Sequence, residues 1–216
     1  HPPRYRCARR PSIDLLNGNA YIGALARQTM RINMPLATAA SRKLIHTREI
    51  QCHGYERDDG LWDVEGQITD TKSYSFDNQE RGRVGAGTPV HNMLVRLTVD
   101  DDLIIQKAEA VTESAPFGVC PEISPNVRRL EGVKISSGWT KAVREKFGGT
   151  EGCTHILHLI LGPLATTAYQ TIMPLKNSRN QDKKPKKKPA IIDTCHAFAT
   201  EGPIVKRLWP EFSNTE

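Results

Sequence analysis

Cys153 and His155 are the side chains in this 216-residue sequence best placed to do chemistry together. They stand in Gly152-Cys153-Thr154-His155, where an apolar helical pattern begins. A cysteine at a helix N-terminus has its thiolate stabilised by unpaired amides and by the helix dipole. An imidazole in the same turn then offers either a base for a nucleophilic thiol or a second ligand for a shared metal. A packing role stands beside this, with Cys153 filling a turn of small residues and Thr154 or Thr150 capping the helix.

Cys120, Cys195 and His196 are the further candidates for such a centre. Thiolates and imidazoles suit zinc or iron, and three or four of them converging from loops would make a site. These candidates include no C-x-x-C pair, only an isolated C-x-H and an isolated C-H. Each of these cysteines taken alone also fits a small buried hydrophobe.

A second constellation lies in the first half. Asp63 and Glu65 are two apart in an extended run, so they project from one face, within reach of Arg48 or Arg96. His46 precedes that run and His91 opens a later one, which places both imidazoles at one edge of a sheet. Carboxylates beside imidazoles can move protons at neutral pH. The same residues also fit a solvated or dimer-forming sheet face balanced by ion pairs. His53 and His158 read as surface or packing residues.

The elements that must position these groups are legible from periodicity. Two extended runs, 45–57 and 61–71, flank Asp58-Asp59-Gly60, a hairpin signal. Trp62, Val64 and Ile68 alternate with Asp63, Glu65 and Gln67, giving one buried and one wet face. The Gly-rich stretch 81–89 reads as a loop into a third run, where Met93, Val95, Leu97 and Val99 alternate with Leu94, Arg96 and Thr98. Asp100-Asp101-Asp102 is the next turn, and 103–112 is the fourth strand of an antiparallel meander.

Helices follow. Ser124 caps a short one through about Leu130, with Pro125 at its first position. Trp139, Val143 and Phe147 recur every four residues before Gly148-Gly149. A longer helix runs over about 153–172 with Ile156, Leu159, Ile160 and Leu164 on its apolar side, kinked by Pro163. A Lys/Pro linker covers 176–189, and a last short helix spans about 203–209. Strands first and helices afterwards on one face give an α+β fold in a single domain over 44–212.

The bulk composition narrows the function classes. The net charge of +6 is concentrated in two places. Residues 1–33 hold six arginines against Asp14 alone, and 183–188 hold five lysines. The rest carries a small net negative charge, so no basic groove for nucleic acid is expected. No purely apolar run of about 18 residues suggests a membrane span, and five scattered cysteines do not make a disulfide framework. Together these imply reduced thiols and a cytoplasmic setting. Residues 1–33 show no periodicity. They read either as a disordered basic arm or as residues preceding a native start at Met34.

The stretches His46-Thr47-Arg48, Gly54 to Gly66, Asp70-Thr71-Lys72, Gly152-Cys153-Thr154-His155, Gly162-Pro163-Leu164-Ala165-Thr166-Thr167 and Asp193-Thr194-Cys195-His196-Ala197 resemble the bacterial domain-of-unknown-function family 2889. That resemblance implies a compact bacterial protein and no particular reaction. The order of elements is also similar to iron–sulfur scaffold proteins of the SufE/NifU type, with Cys120 and Cys153 in the places of two of three cluster cysteines. The third place is empty, because no cysteine lies between 121 and 152.

Two functional expectations follow. One is a metal- or thiolate-centred accessory protein with Cys120, Cys153, His155, Cys195 and His196 as ligands. The other is a small lyase or hydrolase acting on an aromatic or acyl substrate, using Cys153 and His155 or the group His46, Asp63, Glu65 and His91. A homo-oligomer through the sheet face and a small-molecule ligand are the partners expected, with neither nucleic acid nor membrane among them. No G-x-S-x-G elbow, P-loop or H-E-x-x-H is present. The G-x-G in 81–87 leads into a strand, whereas a nucleotide fingerprint needs a helix there.

Overall fold

The first hairpin shows how directly local sequence becomes structure. β1 (His46–Glu56) and β2 (Trp62–Lys72) pair antiparallel across a turn in which Gly60 takes φ +82°, a conformation open to glycine without strain. The computed structural model describes residues 37–179 and 187–213. The expectations for residues 1–33 and for most of the 183–188 lysine run lie outside them. Contacts divide the chain after Arg42, and the fold belongs to the second unit, Lys43–Glu216. The described residues before Lys43 are exposed.

β5 (Pro89–Val99) pairs with β2, and β6 (Ile105–Ser114) pairs with β5, so the antiparallel sheet has the order β1-β2-β5-β6. The Gly-rich stretch is more than a loop. β3 (Phe76–Asn78) and β4 (Gly82–Val84) form a separate two-stranded ribbon inside the β2–β5 connection. The fourth strand begins at Ile105, two residues later than its apolar pattern suggests. Leu103 instead closes the aspartate turn in a left-handed conformation, φ 64°, with its side chain buried. The Asp100 carboxylate holds that turn by accepting from the backbone N–H groups of Asp102 and Ile104, each at 2.9 Å.

One face of the sheet carries the core. Trp62, Val64 and Ile68 of β2 and Met93, Val95, Leu97 and Val99 of β5 are almost wholly removed from water. Against them lies a continuous 26-residue helix, Thr154–Arg179. It comprises α2 (Thr154–Leu159), a π turn (Ile160–Leu164) and α3 (Ala165–Arg179). Pro163 lacks the N–H that would bond to the Leu159 carbonyl, and the widened turn absorbs that loss. By length and composition this helix could cross a membrane. Here Ile156, Leu159, Ile160, Leu164, Ala168 and Ile172 are fully buried, so its apolar side forms part of the core. The fit at Gly66 is tight: a Cβ there would stand 2.9 Å from Leu164 Cδ2 and 3.1 Å from Leu159 Cδ1.

The remaining helices close the edges. A 3-10 helix (Cys120–Leu130) packs on β6, and Ser124 lies buried within it, its hydroxyl 2.9 Å from that of Thr112. Ser124 therefore ties helix to strand and does not cap. α1 (Trp139–Phe147) buries the three residues of its four-residue repeat, and α4 (Pro203–Leu208) buries Val205. α3 extends into the expected linker, where Lys176 donates to the Asp101 carbonyl at 2.8 Å. Lys188 is likewise anchored, on Asp193 at 2.7 Å. The four described cysteines are all unpaired.

Candidate functional site

The inward register of β2 runs Trp62, Val64, Gly66, Ile68, and its next member is Asp70. Its side chain is 1% exposed, an acid at an apolar position. A lone carboxylate there would be strongly disfavoured by lost hydration, so its partners determine whether the fold tolerates it. Strand register supplies two of them. Arg48 lies directly opposite Asp70 on β1, and His91 lies opposite on β5. A shift in pairing at Asp70/Thr71 bends the strand at that point, a distortion that re-aims side chains. The third partner comes from the helix: His155, in the first turn of α2, reaches down from above the sheet.

The geometry is convergent. Arg48 donates from Nε to Oδ1 and from Nη2 to Oδ2, each at 2.7 Å, a two-point charge-assisted pair. His46 Nε2 lies 3.1 Å from Oδ1. His91 Nδ1 lies 3.1 Å and His155 Nε2 3.4 Å from Oδ2. The His91 and His155 rings stack with centroids 3.7 Å apart. Burial pushes the Asp70 pKa up, but the Arg48 hydrogen bonds and charge, with His155 and His91 adding to them, hold it at about 2. Burial pushes the pKa of His91 down, against the pull of Asp70. His155 is lowered by burial and by neighbouring His91. Both imidazoles are thereby biased toward the neutral, ligand-competent form.

Asp70, His91 and His155 each offer one ligand atom, and the three atoms lie within 4.8 Å of one another. Zinc bonds of about 2.0–2.2 Å to nitrogen and oxygen imply ligand separations of roughly 3–3.6 Å, and the two carboxylate–imidazole distances fall in that range. The three groups thus have the types and spacing that could hold a cation. Cys153 stands on the other side of His155, its Sγ 3.9 Å from Nδ1, and flanks the start of α2.

The sequence-based candidates sort into three groups. His155, His46 and His91 come together around Asp70, and Cys153 stands beside His155. Cys120 opens the 3-10 helix after β6, while Cys195 and His196 sit at the short turn His196–Phe198 in the C-terminal segment. None of these three belongs to a ligand-spaced group among the described residues. Asp63 and Glu65 project from the opposite face of β2, because alternate residues of a strand point to opposite sides. Asp63 accepts from Thr98 Oγ1 at 2.7 Å and from Arg57, and Glu65 pairs with Arg96 at 2.6 Å. The acid–base group His46, Asp63, Glu65 and His91 is therefore split between two faces, with Asp70 serving the histidines.

That outer face carries a groove of about 320 Å³ lined by Gln51, His53, Glu65, Gln67, Leu94 and Arg96 among others. It contains none of the Asp70 cluster, and its principal charges are already paired. His158 is exposed, as expected.

The model of the family described as "Protein of unknown function (DUF2889)" matches residues 46–170, more than half of the chain and the span holding every member of this cluster. The chain belongs to the DUF2889 family. No curated protein and no solved structure matches it. Within this DUF2889 chain, Asp70 is the functional candidate that motif reasoning missed, and Arg48, expected near Asp63 and Glu65, serves Asp70 instead. The available signal was an aspartate continuing the apolar register of a strand.

Proposed function

We propose that this DUF2889 protein is metal-centred, holding zinc or ferrous iron through Asp70, His91 and His155. One observation carries the reading: three ligand atoms of suitable type within 4.8 Å of one another, brought together from β2, β5 and the first turn of α2. A two-imidazole, one-carboxylate set suits either metal and leaves coordination positions open for a substrate or a transferred group. Arg48 would orient the carboxylate through its two hydrogen bonds, and Cys153 would accept from the outer nitrogen of His155 and fix its tautomer. An accessory role in metal handling and a metal-assisted lyase or hydrolase role both fit such a centre. A three-cysteine scaffold fits less well, since Cys120 and Cys153 share no ligand-spaced group. The test is metal content of the anaerobically purified full chain beside Asp70→Asn and His91→Ala. Near one equivalent in the wild type, lost in both variants, is expected; absence of metal from all three would end the reading.

One observation favours a second reading. His155 bridges Cys153 and Asp70, with contacts of 3.9 Å to Sγ at Nδ1 and 3.4 Å to the carboxylate at Nε2. In a metal-free site His155 would donate from Nε2 to Asp70 and accept the thiol proton at Nδ1, making Cys153 a nucleophile toward an acyl carbon. The tautomer of His155 separates the two: Nδ1–H for the metal centre, Nε2–H for the nucleophile. Rapid iodoacetamide labelling of Cys153 at neutral pH, ahead of Cys52 and Cys120 in metal-free protein, would favour the thiol; equal labelling would remove it.

A further inference from the structure

Arg48 meets Asp70 with only one edge of its guanidinium. Nε and Nη2 take the two carboxylate oxygens, while Nη1 makes no hydrogen bond among the described residues. The second edge, Nη1 with the remaining N–H of Nη2, is an open fork on a side chain that is 39% exposed. Such a fork matches two parallel oxygens of a carboxylate better than a point charge would.

Asp70 is the only acid that pairs with Arg48, His46, His91 or His155 among the described residues, and it is itself buried. What the site presents to solvent is Arg48 and the half-exposed His46, with His91 and His155 behind them. Arg48 and Asp70 cancel, so a divalent cation on Asp70, His91 and His155 leaves the cluster with two uncompensated positive charges. A carboxylate ligand offsets one of them.

We infer that the centre acts on a small molecule bearing a carboxylate, which docks on the Nη1–Nη2 edge of Arg48 and lays its adjoining atoms over the open metal positions. Arg48 then lies between two carboxylates, one from the protein and one from the ligand. This assignment rests on the metal-centre reading, and it makes Arg48 a binding residue for substrate as well as a support for Asp70.

The probe is benzoate, with inorganic phosphate as comparison, added to the full chain loaded with cobalt(II). Benzoate is expected to shift the visible cobalt spectrum saturably and to protect Arg48 from phenylglyoxal, followed by peptide mass spectrometry. Arg48→Lys, which keeps the cation and loses the fork, is expected to weaken benzoate at least tenfold with cobalt still bound. If that variant fails to hold cobalt, protection of Arg48 in the wild type decides alone. Cobalt bound with Arg48 modified equally fast in the presence of benzoate would overturn the inference and leave the metal reading standing. Equal protection by phosphate would overturn the carboxylate assignment. A wild type that binds no cobalt would remove both.

Discussion

Arg48 and Asp70 face each other across adjacent strands, joined by two hydrogen bonds of 2.7 Å, and this pair is what allows an acid to sit in the apolar register of β2. Everything else in the site is arranged around the carboxylate so fixed. Removing a partner from a buried ion pair typically costs about 3–5 kcal/mol, because a charge is left without compensation. Arg48 is partly solvated and three imidazoles remain, so Arg48→Ala is expected to cost less, about 2 kcal/mol. Urea unfolding would measure it, and adding Asp70→Asn should recover part of the loss. Independent, additive effects of the two changes would mean that the pair does not act as a unit.

The pH dependence of the metal-free chain follows from the same cluster. The carboxyl of Asp70 titrates at about 2 in the fold, below the ordinary aspartate value, so its contribution is present above about pH 4 and is lost as pH falls toward 2. His91 and His155 are lowered relative to an unfolded histidine of about 6.5, so the unfolded chain binds protons first. Stability should therefore be full above that value and decline as pH falls below it. His91→Gln should flatten this upper step and spare the acid limb near pH 2–4, as followed by thermal unfolding across pH.

Gly66 tests the packing that delivers His155 to the sheet. A Cβ at that position meets Leu164 and Leu159 at 2.9 and 3.1 Å, so Gly66→Ala should push the helix from β2. Overpacking of this kind costs about 1–3 kcal/mol. Calorimetry should show a lower Tm together with weaker metal binding, since His155 rides on the displaced helix. A lower Tm with unchanged metal affinity would show that the site tolerates movement of α2.

The outer face supplies the contrast. Glu65 pairs with Arg96 where both are substantially exposed, an arrangement worth about 0–1 kcal/mol. Glu65→Gln should leave metal content unchanged and alter stability within that range. Loss of metal in this variant would place the centre on the wrong side of the sheet.

The sheet and the helix face were readable because each rests on one strong period. Alternation set the inward faces of β2 and β5, and the stripe Ile156, Leu159, Ile160 and Leu164 is wholly buried as its spacing implied. The small β3–β4 ribbon was hidden because three-residue strands are too short to show a period. The site was legible only in part. Cys153 and His155 lie near each other in sequence, so their proximity could be read directly. His46 and His91 meet at Asp70 from an edge strand and an inner strand, while Asp63 and Glu65, the acids nearest to hand in sequence, face outward. Asp70 lies seven residues further along β2 than Asp63, roughly 23 Å at strand rise. Its meeting with Arg48 and His155 depends on register and on helix placement, which a single sequence states only indirectly.

Metal occupancy of anaerobically purified full-length protein, beside Asp70→Asn, His91→Ala, His155→Ala and Cys153→Ser, tests the central claim most directly. Near one equivalent of zinc or iron is expected in the wild type, with loss in the first three variants and retention in Cys153→Ser, whose side chain lies behind a ligand. Metal held by every variant, or by none of the proteins including the wild type, would contradict it.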